Sequence, residues 1–343
     1  MPARRPTMTD IAKQAGVSQS TVSLVLNDVP GTKVSPATRE LVLAIARDIS
    51  YPLVRHVRSS AAPARNLILY LTDELATSPH AMQTIDGATN TAWEHDCLVT
   101  VFATRSDPER EAAILAQMLA HPALLGVIYA TIFTRAATIP AVLREVPTVL
   151  LNCHARDHAM PSVVPGEVLG GFAATMHLVE AGHRRIGFIN GEPWLEAAAE
   201  RLKGYRQALT TADIPYDAAL VRQGDWQVGS GFEQASALLA LADPPTALFC
   251  ANDLMAVGAI DAARKLELDI PGRLSVVGYD DQDMARYFHP PLTTVLLPNG
   301  EMGRWAAETV IAQARAGVPG RRHHIKMECP LVVRDSVAPP APR

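Results

Sequence analysis

Two periodicities divide the chain. Between Thr7 and Ile49, apolar residues recur at spacings of three and four, which marks helices with one buried stripe. In TMTDIAKQA, Ile11, Ala12 and Ala15 share a face, and Asp10 sits in the first turn, where the positive helix end favours a carboxylate. Gly16 follows as a helix stop that tolerates left-handed backbone. Val17 can plug the corner, and Ser18 restarts the chain as an N-cap. The second helix then buries Val22, Val25 and Leu26 and turns Gln19, Ser20, Ser23 and Asn27 outward. Ser35 and Pro36 open a third helix to Ile49, with Leu41, Ile45 and Ile49 at spacing four. Three such helices make a small bundle. The short polar face on the second is of the kind a major groove accepts, although an ordinary bundle would show the same stripes.

From Asn66 onward the period changes. Short apolar runs at 67–71, 98–102, 124–130 and 147–152 alternate with helical stretches at 85–95, 108–120 and 139–145. The alternation resumes with runs at 185–190, 220–226, 246–253 and 274–281, separated by helices near 197–212, 229–241 and 254–266. Such alternation predicts βαβ units and parallel sheets, here in two similar α/β halves. Ligands of open parallel sheets settle beyond the carboxyl ends of the strands, so two facing halves would close a cleft lined by those ends. The polar residues ending these strands are Asp73, Asn152, Asn190, Trp226, Asn252 with Asp253, and Asp280 with Asp281. The expected organisation is a helical head over 1–50, a hinge or linker over 51–65, the two-part core over 66–335, and a flexible Pro/Ala tail over 336–343.

Charge sharpens the division. The 343-residue chain carries a formal charge of −4, but residues 1–60 hold eight Lys/Arg against four Asp/Glu, and the remainder 23 against 31. A basic head on an acidic body suits a protein whose head alone meets phosphate. Four cysteines, at 97, 153, 250 and 329, form no CxxC pair and argue against a zinc ribbon or disulfide scaffold. Cys153, His154 and His158 are close in sequence, but the segment reads as a solvated loop without a further ligand, so no metal site is expected. No signal peptide or membrane-length apolar run is present, and the expected compartment is the cytoplasm.

Asp280 would project into the cleft, where a carboxylate can accept two hydroxyl hydrogen bonds; capping of the next helix is the competing use, and Asp281 is a candidate for that cap. Trp226 offers a face for a ring or a place in the core. Glu192 and Trp194 lie in a loop at the same rim. No GxGxxG, GxxxxGK[ST] or GxSxG motif occurs, and no nucleophile, base and orienter gather at the strand ends, so neither an enzyme nor a cofactor is expected. An α/β enzyme or a solute-binding protein without DNA function is the alternative of another class.

The stretch DIAKQAGVSQSTVSLVLN followed by VSPATRE resembles the amino-terminal domain of the LacI/GalR family of bacterial transcription regulators, and SVVGYDDQDMARYFHPPLTTV resembles a later part of the same family. The resemblance spans about residues 7–335. It implies a helix-turn-helix head joined to a periplasmic-binding-protein-like core of two doubly wound parallel-sheet subdomains, a homodimer, and a palindromic operator on double-stranded DNA. Gln19 and Ser20 are then the base-reading residues, with Leu24 in the third reading position, where it would meet a thymine methyl or pack inward. Thr9, Ser18, Thr21, Ser23 and Asn27 complete the DNA-facing set. The family's hinge inserts a leucine into the minor groove; this chain has Ser59 and Ser60 there, leaving Val57 as the nearest apolar residue and Arg55 and Arg58 to follow phosphate. In the cleft the resemblance adds Arg201, Asn152 and Asn252 to Asp280 as effector contacts, although strand-end capping is an equal use for the two asparagines. In place of a pair of aromatics after the first strand, the chain has Pro79, His80 and Ala81. The expected effector is a sugar, with a purine or nucleoside as the alternative because VVGYDDQDMARYF resembles purine-responsive members. The expected mode is repression relieved when effector closes the two halves.

Overall fold

A computed structural model describes residues 6–26, 34–49, 66–75, 79–317 and 323–342, and the chain divides into two compact units, Met1–Ala64 and Arg65–Arg343. Asn27, Arg55, Val57 and Arg58, and with them the hinge over 51–65, lie outside the described residues.

The first unit contains α1 (Met8–Ala15), α2 (Gln19–Leu26) and α3 (Pro36–Asp48). A capping box starts α1: the Asp10 N–H reaches the Thr7 hydroxyl, and the Asp10 carboxylate accepts from the Thr7 N–H at 2.8 Å. Gly16 ends the helix at φ +65°, a conformation with little steric cost only for glycine. Ser18 caps α2 by accepting from the Thr21 N–H at 3.1 Å, and Ser35 caps α3 in the same way through Thr38. The core consists of Ile11, Ala12, Val22, Val25, Val42 and Ala46. Of the expected inner stripe of α3, Ile45 and Ile49 pack against this core but Leu41 is 47% exposed, and Val42 and Ala46 are the fully buried pair. The smaller pair lets α3 approach α1 and α2, while Leu41 sits roughly 100° around the helix.

The second unit is built of two lobes. In the N-terminal lobe, β1 (Leu67–Thr72), β2 (Leu98–Ala103), β3 (Leu124–Ala137), β4 (Thr148–Ala155), β5 (Ser162–Pro165) and β11 (His324–Met327) form one parallel sheet, in the order β11-β5-β4-β3-β1-β2. Helices α4 (Pro79–Glu94), α5 (Pro108–Leu119) and α10 (Asn299–Ala316) pack with it. In the C-terminal lobe, β6 (Ile186–Asn190), β7 (Val221–Gln223), β8 (Ala247–Cys250) and β9 (Ser275–Val277) run parallel in the order β7-β6-β8-β9. They are accompanied by α6 (Glu167–Glu180), α7 (Glu196–Thr211), α8 (Val228–Leu239) and α9 (Asp253–Lys265), and by an antiparallel pair, β10 (Thr294–Val295) with β12 (Leu331–Val332). The chain passes between the lobes three times: between β5 and α6, between Leu297 and α10, and between β11 and β12.

Several expectations change. The predicted helix over 139–145 is only a single 3-10 turn, Ala141–Arg144, because the β-forming residues 131–134 carry β3 on to Ala137 and Pro140 and Pro147 bracket what is left. The segments over 220–226 and 274–281 are strands for three residues each. Helices α6 and α10 are absent from the periodicity reading. In α6 the sequence EVLGGFAATMHLVE is apolar nearly all round, and glycines on both helices let it approach α7: a Cβ on Gly171 of α6 would stand 2.6 Å from the Arg201 carbonyl oxygen, and one on Gly204 of α7 would stand 2.2 Å from the Val168 carbonyl oxygen. Of the tail over 336–343, expected to be flexible, the first residues are instead docked, and residue 343 lies outside the described residues. Ser336 is fully buried, its hydroxyl donates to the Val276 carbonyl at 2.6 Å and accepts from the Thr293 N–H at 2.8 Å, and His183 Nε2 meets the Ala338 carbonyl at 2.9 Å. Pairing of buried backbone groups outweighs the Pro/Ala composition of the segment.

Candidate functional site

On the head, the residues expected to face DNA divide by exposure. Thr9, Ser18, Gln19, Ser20 and Leu24 are exposed, and Thr21 and Ser23 are half-buried. Leu24 turns to solvent at 36% exposure and does not pack inward. The Ser18 hydroxyl lies 2.7 Å from that of Ser20 and 2.8 Å from that of Thr21, which leaves Gln19 as the free polar reach of the first turn.

In the second unit, a cavity of about 490 Å³ opens between the lobes. Asn152, Glu192, Trp194, Arg201, Trp226, Asn252 and Asp280, named from six separate stretches of sequence, all line it. Asp73 and Asn190 do not: Asp73 accepts from the Ile132 N–H and pairs with Arg135 at 3.0 Å, and Asn190 donates to the Ala198 carbonyl. A broader hollow lies on the outer face of α6 and α7, lined by Phe172, Lys203 and Arg206, without converging buried polar groups.

At the floor of the cleft Asp280 is 5% exposed and follows β9 with φ +109°, a strained angle for a side-chain-bearing residue. Its N–H bonds the Val295 carbonyl at 2.7 Å, and the next turn is held by Asp253, whose carboxylate accepts from the Gln282 N–H at 2.8 Å and the Thr294 hydroxyl at 2.6 Å. Burial and the neighbouring Asp280 charge push the Asp253 carboxyl up, against those two donors. Asp281 caps no helix: it pairs with Arg334 at 2.6 Å, because its φ of +50° turns the side chain toward β12's exit.

Arg201, expected to fork across an effector, is occupied otherwise. Its Nε and one terminal nitrogen fork onto Glu167 at 2.7 and 2.9 Å, the other terminal nitrogen donates to the Ala251 carbonyl, and its face covers the Tyr279 ring at 3.6 Å. Only its 3.8 Å approach to Asp280 points at the floor. Burial works against its charge, and Glu167 outweighs that by holding the proton more firmly. Glu167 lies in the unpredicted helix α6, and no sequence signal linked it to Arg201.

The two asparagines are also engaged. Asn252 caps α9 through the Met255 N–H at 2.9 Å and donates to the Trp226 carbonyl, while Asn152 bonds Thr134 and the Thr131 carbonyl. In contrast, Glu192 Oε2 and Trp226 Nε1 are buried without a partner, one an acceptor and the other a donor. Trp226 lies against Gly191, where a Cβ would stand 1.8 Å from its ring, and Trp194 is 74% exposed at the rim. His80, where the sequence lacked the usual aromatics, also lines the cavity, together with Phe133, Thr134 and Gln282. Cys153 and His154 belong to β4 rather than a loop, and Cys153 is buried with its thiol pushed up to about 12 by burial. Among the described residues no His, Cys, Asp and Glu set is arranged to hold a metal ion, and no helix is long and apolar enough to cross a membrane.

Comparison with known proteins matches residues 7–52 to "Bacterial regulatory proteins, lacI family" and residues 175–337 to "Periplasmic binding protein-like domain". The HTH-type transcriptional repressor CytR of Escherichia coli (strain K12) is 32% identical, over 96% of both chains. Among solved structures, the lac repressor dimer bound to operator and the anti-inducer ONPF is 28% identical with a TM-score of 0.71, over 98% of this chain and 100% of that one. The transcriptional regulator CelR–cellobiose complex is 30% identical with a TM-score of 0.65, over 97% and 100%.

Proposed function

The chain belongs to the lacI family of bacterial regulatory proteins, a DNA-binding transcriptional regulator with an effector-binding domain and not an enzyme, and from that membership we propose how it is addressed and released. It acts in the cytoplasm as a homodimeric repressor on a palindromic operator, and a sugar in the cleft relieves repression. The exposed apolar residues Met82 and Trp93 of α4, with Leu98 of β2, support pairing with a second copy. Gln19 reads a base edge, Ser20 and Leu24 add to it, and Thr9, Ser18, Thr21 and Ser23 position the head on phosphate. Asn27, Arg55, Val57 and Arg58 extend that set.

One observation carries the effector assignment. The cavity sets the carboxylates Asp280 and Glu192, the second with an unpartnered buried oxygen, beside the Trp226 ring. Acceptors beside an aromatic face fit a ligand rich in hydroxyl donors with an apolar ring face. CelR, similar over its whole length, was solved with such a ligand. Purines and nucleosides are the second reading, favoured by the VVGYDDQDMARYF segment. Thermal shift of the full chain against sugars and nucleobases separates the two: stabilisation by a sugar supports the assignment, and stabilisation by purines alone overturns it.

A further inference from the structure

The two lobes face each other with side chains of opposite kinds. The N-terminal lobe contributes His80 at the start of α4, His154 near the end of β4, His158 just beyond it, and His324 at the start of β11. Facing them from the C-terminal lobe are Asp280 and Glu196. His80 Nε2 lies 3.4 Å from Asp280 Oδ2, and His154 Nε2 lies 3.2 Å from Glu196 Oε2. The His80 ring is held from behind by Asn299, whose amide nitrogen lies 3.2 Å from His80 Nδ1 and donates to Gln83. The rings of His154, His158 and His324 stand 5.1–5.5 Å apart in all three pairs, and His324 Nδ1 is 2.7 Å from the Ser162 hydroxyl.

We propose that these histidine–carboxylate pairs make closure of the cleft proton-linked, so that acidification favours the closed form and alkaline pH frees the lobes. Opening removes Asp280 from the His80 imidazole; the proton there is therefore held more firmly closed than open, and closure takes it up. At His80 burial opposes the charge, but Asp280 outweighs it and raises the proton affinity, with Arg201 working against and Glu167 with it. At the second pair, the rings of His158 and His324 stand beside His154 at the lip of the cleft. Burial and those neighbouring rings hold the His324 value down. Asp157 of the same loop is paired with Arg144. What closure adds there is Glu196, and Glu200, which bonds Lys326.

The test uses the full chain carrying Gln117→Cys on α5 and Ala237→Cys on α8, both exposed, because the four native cysteines are buried and leave spin label to the new pair. Pulsed electron–electron distances, with labelled chain diluted in unlabelled and no effector added, are compared at about pH 5.5 and about pH 8.5, either side of the ordinary imidazole value. The short-distance fraction should grow at the lower pH, and the His80→Gln/His154→Gln double variant should show one distribution at both. A His177→Gln variant, on α6 away from both pairs, should keep the wild-type response. A pH-independent wild type, an unchanged response in the double variant, or loss of response in His177→Gln overturns the proposal; melting curves confirm that each variant is folded. The outcome is independent of effector identity.

Discussion

Arg201 and Glu167 form a fully buried fork, nitrogen to oxygen at 2.7 and 2.9 Å, with the guanidinium laid on the Tyr279 ring. This pair fixes the wall from which Asp280 faces the cleft. Glu167→Ala leaves an uncompensated buried cation and should cost about 3–5 kcal/mol in urea unfolding, and an Arg201→Met/Glu167→Leu double variant should recover a large part of that loss. Equal instability of the two would place the contribution in packing rather than charge.

Asp280 and Asn252 line one cavity but should behave differently. Asp280→Asn keeps the fold and loses the effector response, since a charged acceptor is worth about 1.5–3 kcal/mol to a bound hydroxyl. Asn252→Ala removes the α9 cap and should cost about 0.5–2 kcal/mol of stability. Urea titration alongside effector-induced thermal shift separates the two: a stable Asn252→Ala protein would mean the cap is dispensable.

Gln19→Ala on the exposed first turn of α2 should relax preference at one base pair and weaken operator binding by about 1–3 kcal/mol. Fluorescence anisotropy on a set of single-base operator variants reads this directly. An unaltered preference profile would take Gln19 out of base reading.

His183 lies buried among Thr246, Ser275 and the Ala338 carbonyl, and burial holds its proton affinity below the ordinary value, with the Ala338 bond working the other way. A depressed histidine contributes stability above its unfolded value that is lost as pH falls through the folded one. Wild-type stability should therefore drop below about pH 6.5, and His183→Gln should flatten that part of the curve. Hydrogen exchange at Val276 and Ala338 should rise with the same pH dependence, since both amides are tied to this tail.

Much of the fold was legible because its signals are local. Capping by Ser18 and Ser35, the stop at Gly16 and the alternation of strand and helix each depend on a few neighbouring residues. The cleft was legible as a set of places, since Trp226, Asn252 and Asp280 stand just beyond strand ends, whereas Asn152, expected to end its strand, lies inside β4, which runs on to Ala155. What each side chain does there was not. Arg201 is committed to Glu167, 34 residues away, and Asn152 to Thr134 across a sheet, and no spacing rule reports such partners. Helix α6 escaped because a helix apolar on every side has no stripe. Leu41 shows the opposite failure, one member of a tidy stripe that packing left in solvent while Ile45 and Ile49 stayed against the core.

The three strands of backbone that cross between the lobes make neither lobe a continuous length of gene. A single recombination event cannot exchange one ligand-binding half for a relative's, because a matching graft needs three coordinated joins. New effector preferences in a protein built this way should accumulate by point substitution along the cleft walls, with the mechanical link between the halves inherited intact.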